Sequence, residues 1–316
     1  MSPFIVVDLG GTQIRAARCR ADGHMEARVT LPTQASEGPE AVLSRIREAI
    51  RQVWPASGQI AALGVAAPGP LDAKRGVVIF APNLPGWENV PLRDHLADAF
   101  GVPTFVSNDA NLAALGEHRY GAGQGVADMV YLTISTGIGG GIILNGKLFE
   151  GGQGLGGEVG HISVAADAQG STCICGNPGC LEMMAAGPAI ARAARAALEA
   201  GAASVLRERA AGDLTRITAR EVAEAAQEGD ELARRVFARA GFYIGVGLIS
   251  IMYLLNPALF VIGGSVANAG DVLFDPIRET VRSHAPAIYW QATPIRPAAL
   301  GDDVGLLGAL ALAMEA

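Results

Sequence analysis

Phe4-Ile5-Val6-Val7-Asp8-Leu9-Gly10-Gly11-Thr12-Gln13-Ile14-Arg15-Ala16-Ala17-Arg18-Cys19 is the stretch whose reading decides the fold. The apolar run from Phe4 to Leu9 predicts a buried strand, Gly10-Gly11-Thr12 a tight turn, and Ile14 to Cys19 a return strand. The turn sets an acid, Asp8, at a strand end. Beside it stand two residues without side chains, where backbone can approach a ligand, and a hydroxyl, Thr12, that can meet phosphate or a metal-bound water. Ordinary hairpins share this bare pattern. The Gly-Lys-Ser/Thr of a Walker loop and the Gly-x-Gly-x-x-Gly that opens a dinucleotide-binding helix are both missing from it.

The plan recurs. Met129 to Ser135, then Thr136-Gly137-Ile138-Gly139-Gly140-Gly141, then Ile142 to Leu144 again read as strand, polar glycine turn and strand. Two related α/β halves are expected, with a ligand held between the turns in an interdomain cleft. Gly263-Gly264-Ser265, after the predicted strand Leu259 to Ile262, supplies a third point of close approach.

Other elements are indicated by periodicity and capping. Leu43, Ile46, Ile50 and Val53 have helical spacing within Ala41 to Val53. Ile60 to Ala66 predicts a strand running into the rigid turn Ala67-Pro68-Gly69-Pro70. Val102 to Ser107 predicts another, and Asn108-Asp109 stand where the next helix starts. Pro188 to Ala200 reads as a helix, and Thr218-Ala-Arg-Glu221 as a capping box. Glu231 to Leu255 is a long helix that turns fully apolar, and Gly305 to Met314 an apolar terminal helix.

The 316 residues suit two domains of about 150 each. Half are hydrophobic and only 17% charged, so the chain is globular; a net charge of −7 argues against a nucleic-acid surface and for a small-molecule partner. Met1 to Asp8 lacks the basic start of a signal peptide, which leads to the expectation of a cytoplasmic protein. Ala240 to Gly270 carries no formal charge. Its helical part should end at Asn256-Pro257, short of the ~20 residues that span a bilayer. A buried core helix is therefore expected, and no membrane partner.

Three of the four cysteines lie together in Cys173-Ile-Cys175-Gly-Asn-Pro-Gly-Cys180-Leu-Glu182, and His161 lies upstream in Gly157-Glu158-Val159-Gly160-His161. Three thiolates and one imidazole complete the tetrahedral shell of a structural zinc. A disulfide is the alternative reading. A Cys-x-Cys pair bridges poorly, however, and three local thiols leave one over.

These motifs, in this order and spacing, resemble the ROK family of sugar kinases and related repressors, and within it the bacterial glucokinase branch. The likeness runs over essentially the whole chain. It implies an α/β, two-domain actin-like ATPase (ribonuclease H-like) fold. The smaller domain would be 1–115, completed by the C-terminal helix 301–316, and the larger 116–300. It further implies phosphoryl transfer from ATP to the 6-hydroxyl of glucose, with Mg2+ and a structural Zn2+, in a homodimer or homotetramer. By resemblance Asp109 is the catalytic base, and Gly69, Asn83, Asn108, Asp109, Glu158, His161 and Glu182 meet the sugar. Asp8, Gly10, Gly11, Thr12, Thr136, Gly137, Gly263 and Gly264 would meet the nucleotide, and His161, Cys173, Cys175 and Cys180 the zinc. Three alternatives stand beside this reading: another hexose (N-acetylglucosamine, N-acetylmannosamine, mannose or fructose), polyphosphate as donor, or a sugar-sensing repressor. Family repressors carry an N-terminal helix-turn-helix of several dozen residues, for which a phosphate turn beginning at Asp8 is expected to leave no room.

Overall fold

The computed structural model describes residues 2–167 and 173–315. They form two compact units. The first comprises Met1–Ala127, Gly141–Gly157 and Ala299–Ala316; the second comprises Asp128–Gly140 and Glu158–Ala298. The boundary expected at 115/116 falls inside a helix, Asp109–Tyr120, that belongs whole to the first unit.

In the first unit β1 (Phe4–Leu9), β2 (Gln13–Cys19) and β3 (Met25–Pro32) form an antiparallel meander, then α1 (Pro39–Val53) crosses to β4 (Leu63–Ala67), parallel to β1. A small antiparallel sheet comes next, made of β5 (Leu71–Asp72), β6 (Val77–Phe80) and β7 (Glu88–Val90). α2 (Leu92–Phe100) then leads to β8 (Thr104–Asn108), parallel to β4, and β8 runs directly into α3 (Asp109–Tyr120). The main sheet has the order β3-β2-β1-β4-β8. β1 and β4 read as continuous apolar runs because both faces are covered; α1 packs against β1 and β2, and the terminal helix against β1 and β4. Residues 60–62 lie outside the ladder, so β4 begins three positions later than its apolar run suggests.

The next hairpin starts with β9 (Met129–Ile134) and continues as β10 (Ile138–Leu144) and β11 (Lys147–Leu148). β10 begins inside the predicted glycine turn, because Gly139, Gly140 and Gly141 take strand conformation. Packing explains it. A Cβ on Gly141 would lie 2.5 Å from Ala114 Cβ of α3, so the strand runs there only without a side chain.

The second unit continues through α4 (Leu181–Ala185), α5 (Gly187–Glu199), α6 (Leu206–Arg209), α7 (Ala219–Gln227) and α8 (Glu231–Leu255). Then come β12 (Leu259–Gly263), α9 (Asp271–His284), α10 (Ala287–Trp290) and β13 (Ile295–Pro297). β12 lies parallel to both β9 and β13. By length and composition α8 could cross a membrane. Here its apolar side, including Phe237, Ile244, Leu248 and Met252, is buried, and the helix packs on α4, α5, α7 and α9. The capping box at Thr218 and Glu221 is formed, with both reciprocal bonds made.

The chain returns to the first unit at Ala299 and ends in α11 (Val304–Glu315). α11 is buried nearly all round because α3, β1 and β4 all pack against it. Its glycines permit this. A Cβ on Gly308 would stand 1.9 Å from the Leu112 carbonyl oxygen of α3, and one on Gly305 would stand 2.8 Å from Asp8 Cγ.

Candidate functional site

In the first unit the turn after β1 is closed by the Gly10 amide donating to Gln13 O at 2.9 Å. The buried Thr33 braces it, its hydroxyl donating to Gly10 O at 2.6 Å and its amide to Thr12 O at 2.8 Å. A Cβ on Gly11 would lie 2.9 Å from Asn83 Cβ, so the turn and Asn83 are neighbours. Asp8 stands 3.6 Å from Arg15 and under Gly305. Burial pushes its carboxyl above the usual range, and Arg15 and Arg28 oppose that push.

Asn108 and Asp109 sit where β8 becomes α3. Asn108 is the N-cap: its side-chain oxygen accepts from the Ala110 amide (2.9 Å) and the Asn111 amide (3.3 Å). Its amide nitrogen donates to Gly69 O at 3.1 Å, which joins two predicted sugar contacts and leaves one amide hydrogen for a ligand. Asn108 does the capping, and Asp109 holds the first helical position. Its carboxylate accepts from the Ala110 amide at 2.8 Å, at the end of the helix where the macrodipole is positive.

In the second unit the turn after β9 is fastened by distant residues. The Ser135 amide donates to Gly137 O, Ser135 O accepts from the Gly187 amide, and Ser135 Oγ accepts from the Ser265 amide at 2.9 Å. Thr136-Gly137 and Gly263-Gly264 are thereby brought together. Glu182, in the first turn of α4, accepts from the Ile138 amide at 2.9 Å. Its Oε2 would lie 2.5 Å from a Cβ on Gly137, so only glycine lets the carboxylate reach the strand. Next to these turns is a cavity of about 720 Å³, lined by Thr136, Pro188, Thr218, Gln227, Val266 and Asn268 among others. Its volume is that of a drug-sized ligand site. Gln227 and Asn268 are absent from the sequence-derived site, since nothing in their local pattern separates them from ordinary surface amides.

Glu158 immediately precedes the 3-10 turn Val159–His161, and its carbonyl accepts from the His161 amide. The donor atoms of His161, Cys173, Cys175 and Cys180 all lie within 4.8 Å of one another. His161 Nδ1 is 3.4 Å from Cys173 Sγ, and Cys175 Sγ is 3.4 Å from Cys180 Sγ. All three cysteines are free thiols, so no disulfide competes for them. Burial raises the Cys173 thiol and pushes that of Cys180 up to about 12, whereas the Asn177 amide lowers Cys175. Such a cluster fits a thiophilic cation with tetrahedral preference, which binds and deprotonates the thiols together. Nδ1 faces the sulfurs, so Nε2 is left as the imidazole's other polar atom.

The model of the ROK family matches residues 4–316. The glucokinase of Thermotoga maritima is 36% identical over 313 residues, covering 99% of this chain and 97% of that protein. A ROK family glucokinase from Streptomyces griseus, solved in complex with glucose and AMPPNP, is 35% identical with a TM-score of 0.83 and full coverage of both chains. The ROK hexokinase of Thermus thermophilus is 37% identical with a TM-score of 0.82, covering 99% of this chain and 98% of that one. The fold is thus the α/β actin-like ATPase fold of these enzymes, and the chain belongs to the ROK family.

Proposed function

We propose that this protein is an ATP-dependent glucokinase, transferring the γ-phosphoryl group of ATP to the 6-hydroxyl of glucose to give glucose 6-phosphate and ADP. The likeness over the full chain to a glucokinase solved with glucose and AMPPNP carries the reading. Asp109, oriented at the start of α3, accepts the proton of the sugar's primary hydroxyl as that oxygen attacks phosphorus in line. A neutral sugar offers no charge to grip, so recognition rests on several donors and acceptors. In the first unit Gly69, Asn83 and Asn108 take this part, and in the second Glu158, His161 and Glu182.

The phosphates meet backbone amides of the glycine turns Gly10-Gly11-Thr12 and Thr136-Gly137, and Gly263-Gly264 approaches the nucleoside. The cavity beside Thr136 has the capacity for an adenosine group, which supports ATP over polyphosphate. Asp8 supplies the hard oxygen donor that Mg2+ prefers, at a place where the backbone of Gly305 crowds close. Held there, Mg2+ would supply positive charge to offset that of the phosphates. Zinc on His161, Cys173, Cys175 and Cys180, when bound, fixes the segment that bears Glu158, His161 and Glu182. The exposed side chains of Tyr253, Leu254 and Ile288 on α8 and α10 support a homodimer or homotetramer.

A coupled assay across glucose, mannose, fructose, N-acetylglucosamine and N-acetylmannosamine, with ATP and with polyphosphate, tests the reading. The highest kcat/KM is expected for glucose with ATP, and faster turnover of any other pair would replace it.

A further inference from the structure

Glu117 is fully buried in the last turn of α3, and its carboxylate is held by backbone amides. Oε2 accepts from the Ala122 amide at 2.8 Å, while Oε1 accepts from the Ala299 and Leu300 amides, both at 2.9 Å. The Glu117 carbonyl adds bonds from the Gly121 and Gly123 amides. A Cβ on Gly121 would lie 2.1 Å from Oε2, so glycine is what allows the carboxylate to fold over this turn. One side chain thereby ties the segment by which the chain leaves the first unit to the segment by which it returns. A local helix cap would need only the first set of bonds; the bonds to Ala299 and Leu300 reach 182 and 183 positions along the chain.

The tie is continuous with the surroundings of Asp8. Immediately after Leu300, Gly301–Asp303 form a 3-10 turn whose Asp302 carbonyl accepts from Arg15, the same arginine that stands 3.6 Å from Asp8. α11 then begins, and at its second residue the Gly305 backbone crosses the Asp8 carboxylate closely enough to exclude a Cβ. The other end of α3, about 12 Å from Glu117 at 1.5 Å per residue, carries Asp109.

We propose that Glu117 is a positioning residue for the metal and phosphate end of the site: by pinning Ala299 and Leu300 it sets the start of α11 against Asp8. The inference rests on the kinase reading only in taking Asp8 to face Mg2+ and phosphate. Removing the charge or shortening the side chain frees the return segment, and Asp8 loses its fixed surroundings without any change to Asp8 itself.

The test uses the full-length protein as wild type, Glu117→Gln and Glu117→Asp, the second in case the first does not fold. Amide hydrogen exchange of Ala122, Ala299 and Leu300 is measured first, and is expected to quicken about 10-fold or more in both variants. AMPPNP binding is then titrated calorimetrically over a range of Mg2+ concentrations. The Mg2+ concentration for half-maximal binding should rise about 10-fold, the scale of losing an outer partner of a metal ligand, while glucose affinity measured without nucleotide stays within about twofold. A lowered melting temperature with an unchanged Mg2+ midpoint would make Glu117 a structural brace only and overturn the proposal, as would unchanged exchange. Wild type that binds AMPPNP with Mg2+ but phosphorylates no hexose would sink the functional reading while leaving this inference to the titration. Wild type that binds no nucleotide would overturn both.

Discussion

The two glycine turns look alike in sequence and are held differently. Gly10-Gly11-Thr12 is closed by its own hairpin and by Thr33, one strand away. Thr136-Gly137 depends on Gly187, Ser265 and the carboxylate of Glu182, contributed from positions up to 130 residues distant. The first turn is therefore a local structure that forms with its meander, whereas the second exists only once α4, α5 and β12 are in place. The acids beside them differ in the same sense. Asp8 belongs to the strand before its turn; Glu182 arrives from another helix and spends one oxygen on the turn's own backbone.

The largest expected effect tests whether the chemistry resides with the locally built region. Asp109→Asn should lower kcat by about 10² to 10⁴, the usual worth of a positioned base, with glucose affinity retained; near-normal kcat would remove Asp109 from the role. Next is the brace of the second turn. Glu182→Gln should reduce kcat/KM about 10² and raise KM for glucose and for ATP together, because the carboxylate proposed to meet the sugar also holds Ile138. A change in glucose KM alone would show that the brace is dispensable.

Metal loss should divide the two regions. Cys175→Ser should release about one zinc per chain by elemental analysis and lower the melting temperature, since three ligands cannot close the shell. Hydrogen exchange should quicken around Glu158 and Glu182 and leave β1 to β3 protected; wild type purified without any zinc would refute the assignment. The smallest effect belongs to Thr33→Val, which removes the bond to Gly10 O and should cost about 1–2 kcal/mol in denaturant unfolding. A loss as large as that of Cys175→Ser would mean that the first turn is less self-sufficient than its bonds indicate.

Much of this is legible in the residues alone. Asn108 as cap, the Thr218 and Glu221 box and the strand-turn-strand of Phe4 to Cys19 depend on bonds made within a few residues. The second turn lies where its glycines predict it but is shorter than they suggest, because glycine pattern alone does not reveal that Gly141 is needed to let β10 pass Ala114. Glu117 is hidden for a related reason. In Leu115-Gly116-Glu117 it reads as a polar position on a helix surface, whereas its carboxylate is enclosed by the turn at Gly121–Ala122 and by the returning segment at Ala299 and Leu300.

The sequence by itself determined the elements, the caps, the kinship and the set of thiols and imidazole offered to a metal, because each depends on residue type and short spacing. Tertiary structure alone decided that Glu182 reaches the Gly137 turn, that Glu117 fastens Ala299 and Leu300, and that Thr136, Pro188, Thr218 and Asn268 line one cavity. Those meetings join positions tens to hundreds of residues apart. Packing of glycine-bearing helices and strands selects them, and no local pattern encodes which surfaces will be allowed to approach.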